Sequence, residues 1–433
     1  MPPLPSSPVR EAVLWHETAP PPTGPASPLP ARADVVVVGG GYCGLAAAAE
    51  VARAGGSAVL LEAGALGAGA STRNGGMVIP ELKAGPATLE RRYGELGRRM
   101  ASDVDEAFAW VEERVGPGGI DCAYARTGQL YLAHAPRQEA HLEHLAGEHR
   151  AAGHPARVVR GSELAAEIGS RRFGAGLVLD RTGGLHPARF HAGLVDQARA
   201  AGASLHPHHR ATGIDRRAGG GFTVRVAGGP SGASDGVEAE AVLLATNAYA
   251  DAVAPRLQRR VLPMGSFIIA TEPLSEELAA AVLPTGRMCV DTKNLLWYWR
   301  VDPDRRMVFG GRRRLGRVTL ADAATYLRRS MVEVHPQLAG VAVDCVWGGD
   351  VALTYDRLPH VGRVDGAWYA TGCNGSGVAL NTWMGHRMGQ VLGGGAPPPS
   401  FAELPHPAVP LHRLRHLYLP AVSRWYQWQD HRR

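Results

Sequence analysis

The spacing of apolar and polar positions divides the chain into units. Residues 1–33 hold ten prolines and no periodic pattern, so an extended course with little helix is expected. Trp15 can pin that segment to the body by burying its ring. Order begins at Asp34. Residues 35–38 are a continuous valine run, the pattern of a strand buried on both faces of a parallel sheet. A glycine cluster follows, then small helix formers over 45–54, then a second apolar strand over 58–61 that ends at Glu62. Strand, helix and strand in this order predict a βαβ unit.

Further along, 86–115 reads as helix with Phe108, Trp110 and Val111 on its apolar side, and 128–133 reads as a strand. Helical patterns recur over 136–152 and 187–201, where Pro187 suits a first turn. Residues 241–245 make another buried strand. From 264 to 311 strand signals alternate with turns, as in an antiparallel sheet. Residues 320–334 are helical, 341–347 and 368–370 are strands, and a last core helix runs over about 377–392. No internal repeat is visible.

The expected fold is therefore α/β: a discontinuous Rossmann-like dinucleotide-binding domain with an inserted antiparallel-sheet domain. The expected division is a proline-rich extension (1–33), a dinucleotide domain (34–85, 155–255 and 350–395), a substrate domain (86–154 and 256–349) and a tail (396–433).

Composition adds limits. At 433 residues, with 45% apolar and 20% charged residues, the chain can bury two or three domains. Its net charge of +6 comes from arginine, Lys83 and Lys293 being the only lysines; a skew of this kind reads as base composition. The one dense basic run, Arg312-Arg313-Arg314 with Arg317 behind it, is expected to be a solvated strand end rather than a nucleic-acid site. Five cysteines, an odd number without metal or redox spacing, fit reduced thiols in a cytoplasm. No stretch has the length of a membrane span and no signal pattern opens the chain, so a soluble, unexported protein is expected.

Three glycine motifs carry the chemistry. Gly39-Gly40-Gly41-Tyr42-Cys43-Gly44 follows a strand, opens a helix and precedes the acidic Glu62 by 18 residues. Gly39 serves the tight turn, Gly41 the approach of a pyrophosphate, and Gly44 close helix–strand packing, while the helix N-terminus offers N–H donors. Glu62 can accept from both ribose hydroxyls and would repel a 2′-phosphate, which argues against NADP. The second motif is Gly67-Ala68-Gly69-Ala70-Ser71-Thr72-Arg73-Asn74-Gly75-Gly76, a long small-residue loop where an NAD enzyme continues into an ordinary helix. Ser71 and the loop N–H groups can reach phosphate or ribityl oxygens, and Gly75 and Gly76 let backbone lie against a flat ring. This motif points to FAD. The third, Gly372-Cys373-Asn374-Gly375-Ser376-Gly377, sits between a strand and the last helix, whose N-terminus could face the flavin N1–C2=O edge and stabilise the negative charge of reduced flavin.

Together these stretches resemble the FAD-dependent D-amino-acid oxidase superfamily, which includes sarcosine, glycine and amine oxidases. The resemblance runs from about Trp15 to the last helix. Residues 241–249 (AVLLATNAY) resemble the family's strand returning to the cofactor. Trp347-Gly348-Gly349 leading to Thr354, Asp356, Pro359 and Gly362 resembles its penultimate motif. Within the superfamily the chain is most similar to gamma-glutamylputrescine oxidase-like proteins, sharing an Ala-Ser-x-Arg-Asn-Gly-Gly loop (70–76), an Ile-Ala-Thr-Glu-Pro-Leu stretch (269–274) and Asp-Arg-Leu-Pro-His-x-Gly (356–362). The resemblance implies further cofactor contacts at Ala63, Ala211, Thr246 and Asn247.

Two departures matter. Amino-acid oxidases of this superfamily often place a carboxylate-binding arginine four residues after the tryptophan of the penultimate motif; here that residue is Val351, which cannot clamp a carboxylate. This argues against a simple α-amino acid, or for an anchor elsewhere. Arg300, ending Trp297-Tyr298-Trp299-Arg300, is the candidate, against the plainer reading of a surface arginine. Some relatives attach flavin to a cysteine; here Ala352 and Leu353 occupy that neighbourhood, so non-covalent FAD is expected, with Cys345 and Cys373 as buried small residues.

On a strand, Trp297 and Trp299 face one way and Tyr298 the other, so at least one of them is core while the rest can wall a cationic amine. Tyr355 and Asn374 are candidates for the flavin face or for packing. Some relatives use a lysine near the flavin to promote reaction with oxygen, but Lys293 sits in Asp291-Thr292-Lys293-Asn294, which reads as a surface turn. His206, His208 and His209 are expected in a solvated loop, with no metal.

The implied reaction is oxidation of the CH–NH bond of a small-molecule amine to an imine, with oxygen as acceptor giving hydrogen peroxide. The alternatives are a dehydrogenase of the same fold feeding a quinone or protein acceptor, and a non-catalytic flavoprotein subunit.

Overall fold

The computed structural model describes residues 9–23, 28–228, 236–316 and 318–431. The tip of the proline-rich extension and Arg317 lie outside the described residues. Two sheets organise the rest. In the first, the valine strand Arg32–Val38 lies between Ala58–Leu61 and Gly236–Leu244, parallel to both, with Val36 opposite Val59 on one side and Val242 on the other. Ser204–His206 extends this parallel sheet beyond Ala58–Leu61, and Ala367–Thr371 joins it beside Gly236–Leu244. The valines alternate faces: Val35 and Val37 pack in the core beneath the helices, and Val36 and Val38 pack beneath an antiparallel meander (His209–Arg216, Phe222–Gly228, Gly236–Leu244). Continuous β-branched sequence was needed here because both faces are covered.

The helix Tyr42–Arg53 is poly-alanine in character because a second helix, Gly377–Gly394, lies directly on it. A methyl carbon on Gly385 would come within 2.0 Å of the Cys43 carbonyl oxygen, so only glycine admits this approach.

The second sheet has nine strands in the order Arg10–Glu11, Val343–Leu353, Leu262–Pro273, Arg306–Gly311, Trp297–Val301, Met288–Asp291, Gln129–Leu132, Ala175–Leu179 and Ala156–Arg160. It is antiparallel except at two pairs, Arg10–Glu11 with Val343–Leu353 and Met288–Asp291 with Gln129–Leu132. The helix Leu320–Val334 covers the apolar face, where Trp299 and Phe309 stack at 5.4 Å between ring centroids.

Several expectations need correcting. Strands Ala156–Arg160 and Ala175–Leu179, placed by sequence in the dinucleotide unit, pair in the second sheet. The first of them carries Arg157 and Arg160 among its five residues, as an edge strand can, and that dilutes its apolar signal. A short helix, Glu276–Val282, interrupts the strand-and-turn region, capped by the Ser275 hydroxyl. The tail forms a helix, Arg415–His431, whose Leu419 packs with Met264, Leu295 and Leu315. The N-terminal extension contributes a strand, Arg10–Glu11, and a helical turn, Leu14–Thr18. Among the described residues no helix is long and apolar enough to cross a membrane.

Trp15 is buried, 1% exposed, and its indole N–H donates to the Asn74 carbonyl at 2.9 Å. Trp347 does the same for the preceding carbonyl, that of Arg73, also at 2.9 Å. The two indoles meet edge to face, 6.1 Å between centroids. Two tryptophans more than 300 residues apart thus satisfy consecutive carbonyls of the long glycine loop. Replacing Trp15 with Phe keeps most of the packing but orphans the Asn74 carbonyl. The expected cost is about 1–3 kcal/mol, read as a lowered Tm by calorimetry of the holoprotein, with weaker FAD retention on gel filtration.

Candidate functional site

A cavity of about 1280 Å³ runs from the first sheet to the second and is lined by all three glycine motifs. At one end Gly39, with φ +113°, makes the turn that sends the chain from strand into helix. A methyl carbon on Gly44 would lie 1.9 Å from the Gly39 carbonyl oxygen, so that position admits no side chain. Gly41, as N-cap, offers no capping side chain, and the first turn of Tyr42–Arg53 contains no acidic residue. The result is a bare helix N-terminus facing the cavity, the arrangement that takes a pyrophosphate. Ser71 stands above it, accepting from the Tyr42 N–H at 3.0 Å and keeping its own hydroxyl proton for another acceptor.

Glu62 faces the same space. Its two oxygens accept separately from the Gly40 and Gly64 N–H groups, each at 2.8 Å. These bonds fix the carboxylate and leave lone pairs on both oxygens for ribose hydroxyls. Ala63, Gly69, Ala70, Ala211, Thr246 and Asn247 wall the surroundings, with Cys43 at the helix. Asn247 accepts from the Gly372 N–H at 3.1 Å, tying the first motif's neighbour strand to the third motif.

The long loop is held from within by Asn74, which donates to the Ser71 carbonyl and accepts from the Gly76 N–H, both at 2.8 Å. Arg73 reaches the Ala68 and Gly348 carbonyls at 3.0 and 3.2 Å. Gly75 lies open to the cavity beside the Tyr298 ring. In the third motif Asn374 is buried with φ +50°, donates to the Gly372 carbonyl at 2.6 Å and accepts from the Thr354 N–H at 3.1 Å. Gly375, Ser376 and Gly377 then present backbone to the cavity, while Gly44, Gly76 and Gly372 stand behind its lining. The bare N-terminus of Tyr42–Arg53 fits a pyrophosphate, and the glycine backbone at Gly75 and Gly375 leaves room for a flat ring, so these residues would hold FAD along the cavity.

At the second sheet the tryptophan run divides as alternation requires. Trp297 and Trp299 are buried in the core cluster, and Tyr298 faces the cavity with its hydroxyl 3.1 Å from the Ser266 hydroxyl. Burial raises the Tyr298 pKa, keeping the phenol protonated. Tyr355 is 63% exposed, at the mouth.

Four sequence expectations fail, three of them at this end and one, His206, beside Glu62 on the first sheet. Arg300 is neither a surface residue nor part of the cavity lining. It is buried under Trp15, its guanidinium 5.5 Å from that ring and donating to the Leu185 carbonyl at 2.7 Å, with its pKa pushed down to about 10 by burial. Lys293 is likewise not at the surface: it is buried over the Trp297 ring, 3.5 Å from the Asp291 carboxylate, in a group that includes His134. Burial lowers the Lys293 pKa and raises that of Asp291, their mutual attraction opposing both. His206 is buried on its strand, 2.7 Å from the Ser204 hydroxyl, rather than in a solvated loop. Arg312, read as a solvated strand end, turns into the cavity.

Sequence reasoning also passed over Glu81, Lys83, Tyr131, Tyr418 and Tyr426, all on the cavity wall. They come from segments without a motif. The one signal was lysine itself, used twice in the chain and both times lining this cavity.

A family model described as "FAD dependent oxidoreductase" matches residues 34–391. Gamma-glutamylputrescine oxidoreductase of Escherichia coli (strain K12) is 34% identical over 404 residues, covering 92% of each chain. Among solved structures, glycine oxidase from Geobacillus kaustophilus superposes with a TM-score of 0.70 at 20% identity, over 84% of this chain and 95% of its own. L-proline dehydrogenase from P. horikoshii gives 0.69 at 18%, over 85% and 95%.

Replacing Glu62 with Ala removes the acceptor facing the ribose and frees the Gly40 and Gly64 N–H groups. Losing bonds to a charged acceptor at about 2 kcal/mol should weaken FAD binding roughly 30-fold. Fluorescence titration of the apoprotein with FAD would read this directly.

Proposed function

The chain belongs to the FAD-dependent oxidoreductase family and its cofactor is FAD, and on that premise we propose that it oxidises the carbon next to an amine nitrogen. The carrying observation is the continuity of the cavity: the Glu62 end, which suits an adenosine, opens without a wall into the space bounded by Tyr298, Ser266 and Arg312. Bound FAD supplies a two-electron acceptor. The substrate C–H gives up a hydride and the nitrogen a proton. The imine takes up water and leaves as a carbonyl compound and an amine. Oxygen accepts the electron pair and departs as hydrogen peroxide.

The protein's part is positioning. Tyr131, Tyr298, Tyr418 and Tyr426 enclose the substrate end, where a cationic amine meets ring faces and a neutral amine is favoured by desolvation. The neutral lone pair assists hydride departure. Ala352 and Leu353 offer no thiol for attachment, so FAD is held by the contacts described above. The E. coli relative is named for gamma-glutamylputrescine, and an amine of that kind is the first substrate class to try.

The test is anaerobic mixing of the holoprotein with polyamines, glutamylated amines, N-methyl amino acids and D-amino acids, followed by flavin bleaching. One class of amine should bleach the flavin, and readmitted air should restore the colour with one peroxide per turnover. Bleaching by dithionite but by no amine would end the proposal; recolouring without peroxide would replace oxygen with another acceptor.

A further inference from the structure

The family's usual carboxylate arginine is replaced by Val351, and the substitute suggested by sequence, Arg300, is occupied elsewhere. Two other cations take up the vacated space. Arg312 leaves the end of Arg306–Gly311 and crosses the neighbouring strand, its Nε donating to the Gly265 carbonyl at 3.2 Å. Gly265 and Met264 pair with Asp350 and Val351, so the guanidinium sits one strand away from the lost arginine position and beside Tyr298. Its terminal amino groups form no hydrogen bond or ion pair among the described residues.

Lys83 comes from the opposite wall, in the segment between the strand Met77–Val78 and the helix Pro86–Tyr93. Its ammonium lies 4.0 Å from where a methyl carbon on Gly375 would be, at the flavin-side loop. The side chain is open to the cavity, yet protein surrounds it closely enough that desolvation lowers its pKa. It too forms no hydrogen bond or ion pair among the described residues. Glu81 attracts it without forming an ion pair, and burial pushes the Glu81 carboxyl up toward the neutral form. Arg357 adds a third positive charge at the rim.

Two cations that face one cavity, neither in an ion pair, make a site that attracts an anion. The FAD pyrophosphate has its own site at the helix Tyr42–Arg53. We infer that Arg312 and Lys83 form an anion subsite that takes a carboxylate carried by the amine substrate, replacing the missing arginine of the penultimate motif from two other segments. Arg312 presents the planar fork that fits a carboxylate, and Lys83 a point charge. The inference deepens the amine-oxidation reading and rests on it for the identity of the ligand.

The experiment uses the holoenzyme and two readouts. Glutarate, titrated against glutaramide, is followed by the perturbation of the flavin spectrum, which needs no turnover. Gamma-glutamylputrescine is then compared with N-acetylputrescine in anaerobic flavin reduction. Glutarate should bind and glutaramide should not. Arg312→Gln and Lys83→Gln should each raise the glutarate Kd at least about tenfold. Their losses in kcat/KM should be about tenfold larger for gamma-glutamylputrescine than for N-acetylputrescine. Arg312→Lys, which keeps the charge, should recover part of both and controls for misfolding.

Failure of glutarate to bind, an unchanged Kd in both variants, or equal losses on the two amines would overturn the inference. So would variants that shift the flavin midpoint potential while keeping glutarate affinity, because the cations would then serve the cofactor. If no amine bleaches the flavin yet glutarate binding still depends on Arg312, the subsite stands and the amine-oxidation reading falls.

Discussion

The site depends on a loop whose one short turn, Ala70–Thr72, leaves most of its backbone to be satisfied from outside. Residues 67–76 pass between the two sheets, where an unpaired carbonyl has no water to turn to. Trp15 and Trp347 answer this with one indole N–H each, on neighbouring carbonyls, and Asn74 closes the loop on itself. Trp15 and Trp347 pack together on the second sheet, with Ile268 and Val308, so one pair of hydrogen bonds from distant parts of the chain fixes the cofactor loop to that sheet. Arg300 backs the arrangement from below by holding the Leu185 carbonyl and lying under Trp15.

The cofactor end was legible in sequence because its constraints are local. Gly39, Gly41 and Gly44 act within one turn, and Glu62 ends the strand paired with the one that precedes them, so spacing along the chain is spacing in space. The valine run was legible for the same reason: burial on both faces leaves no polar position to confuse the pattern. The alternation of Trp297, Tyr298 and Trp299 followed from strand geometry alone.

The substrate end was not legible, because it is assembled from distant segments whose residue types have ordinary uses. Arg312, Arg300 and Lys293 look alike as cations beside strands or turns. Only the pairing of Leu262–Pro273 with both Arg306–Gly311 and Val343–Leu353 brings Arg312 toward the Val351 position. Arg300 could not be told from a ligand because its partner, the Leu185 carbonyl, is 115 residues away. The strands Ala156–Arg160 and Ala175–Leu179 were misassigned for a related reason: their short patterns fit either sheet, and register with Gln129–Leu132 decides between them.

The contact between the helices Tyr42–Arg53 and Gly377–Gly394 also sets a timetable. The pyrophosphate turn leaves the ribosome well before the helix that packs on it, which begins 324 residues after Arg53. At about 5–20 residues per second that interval is roughly 15–65 s. Throughout it the alanine face of the first helix lies bare, with its final partner still unmade. Cofactor capture therefore waits until Gly377–Gly394 has been made. In a cell short of flavin the two helices would then meet over an empty pyrophosphate turn.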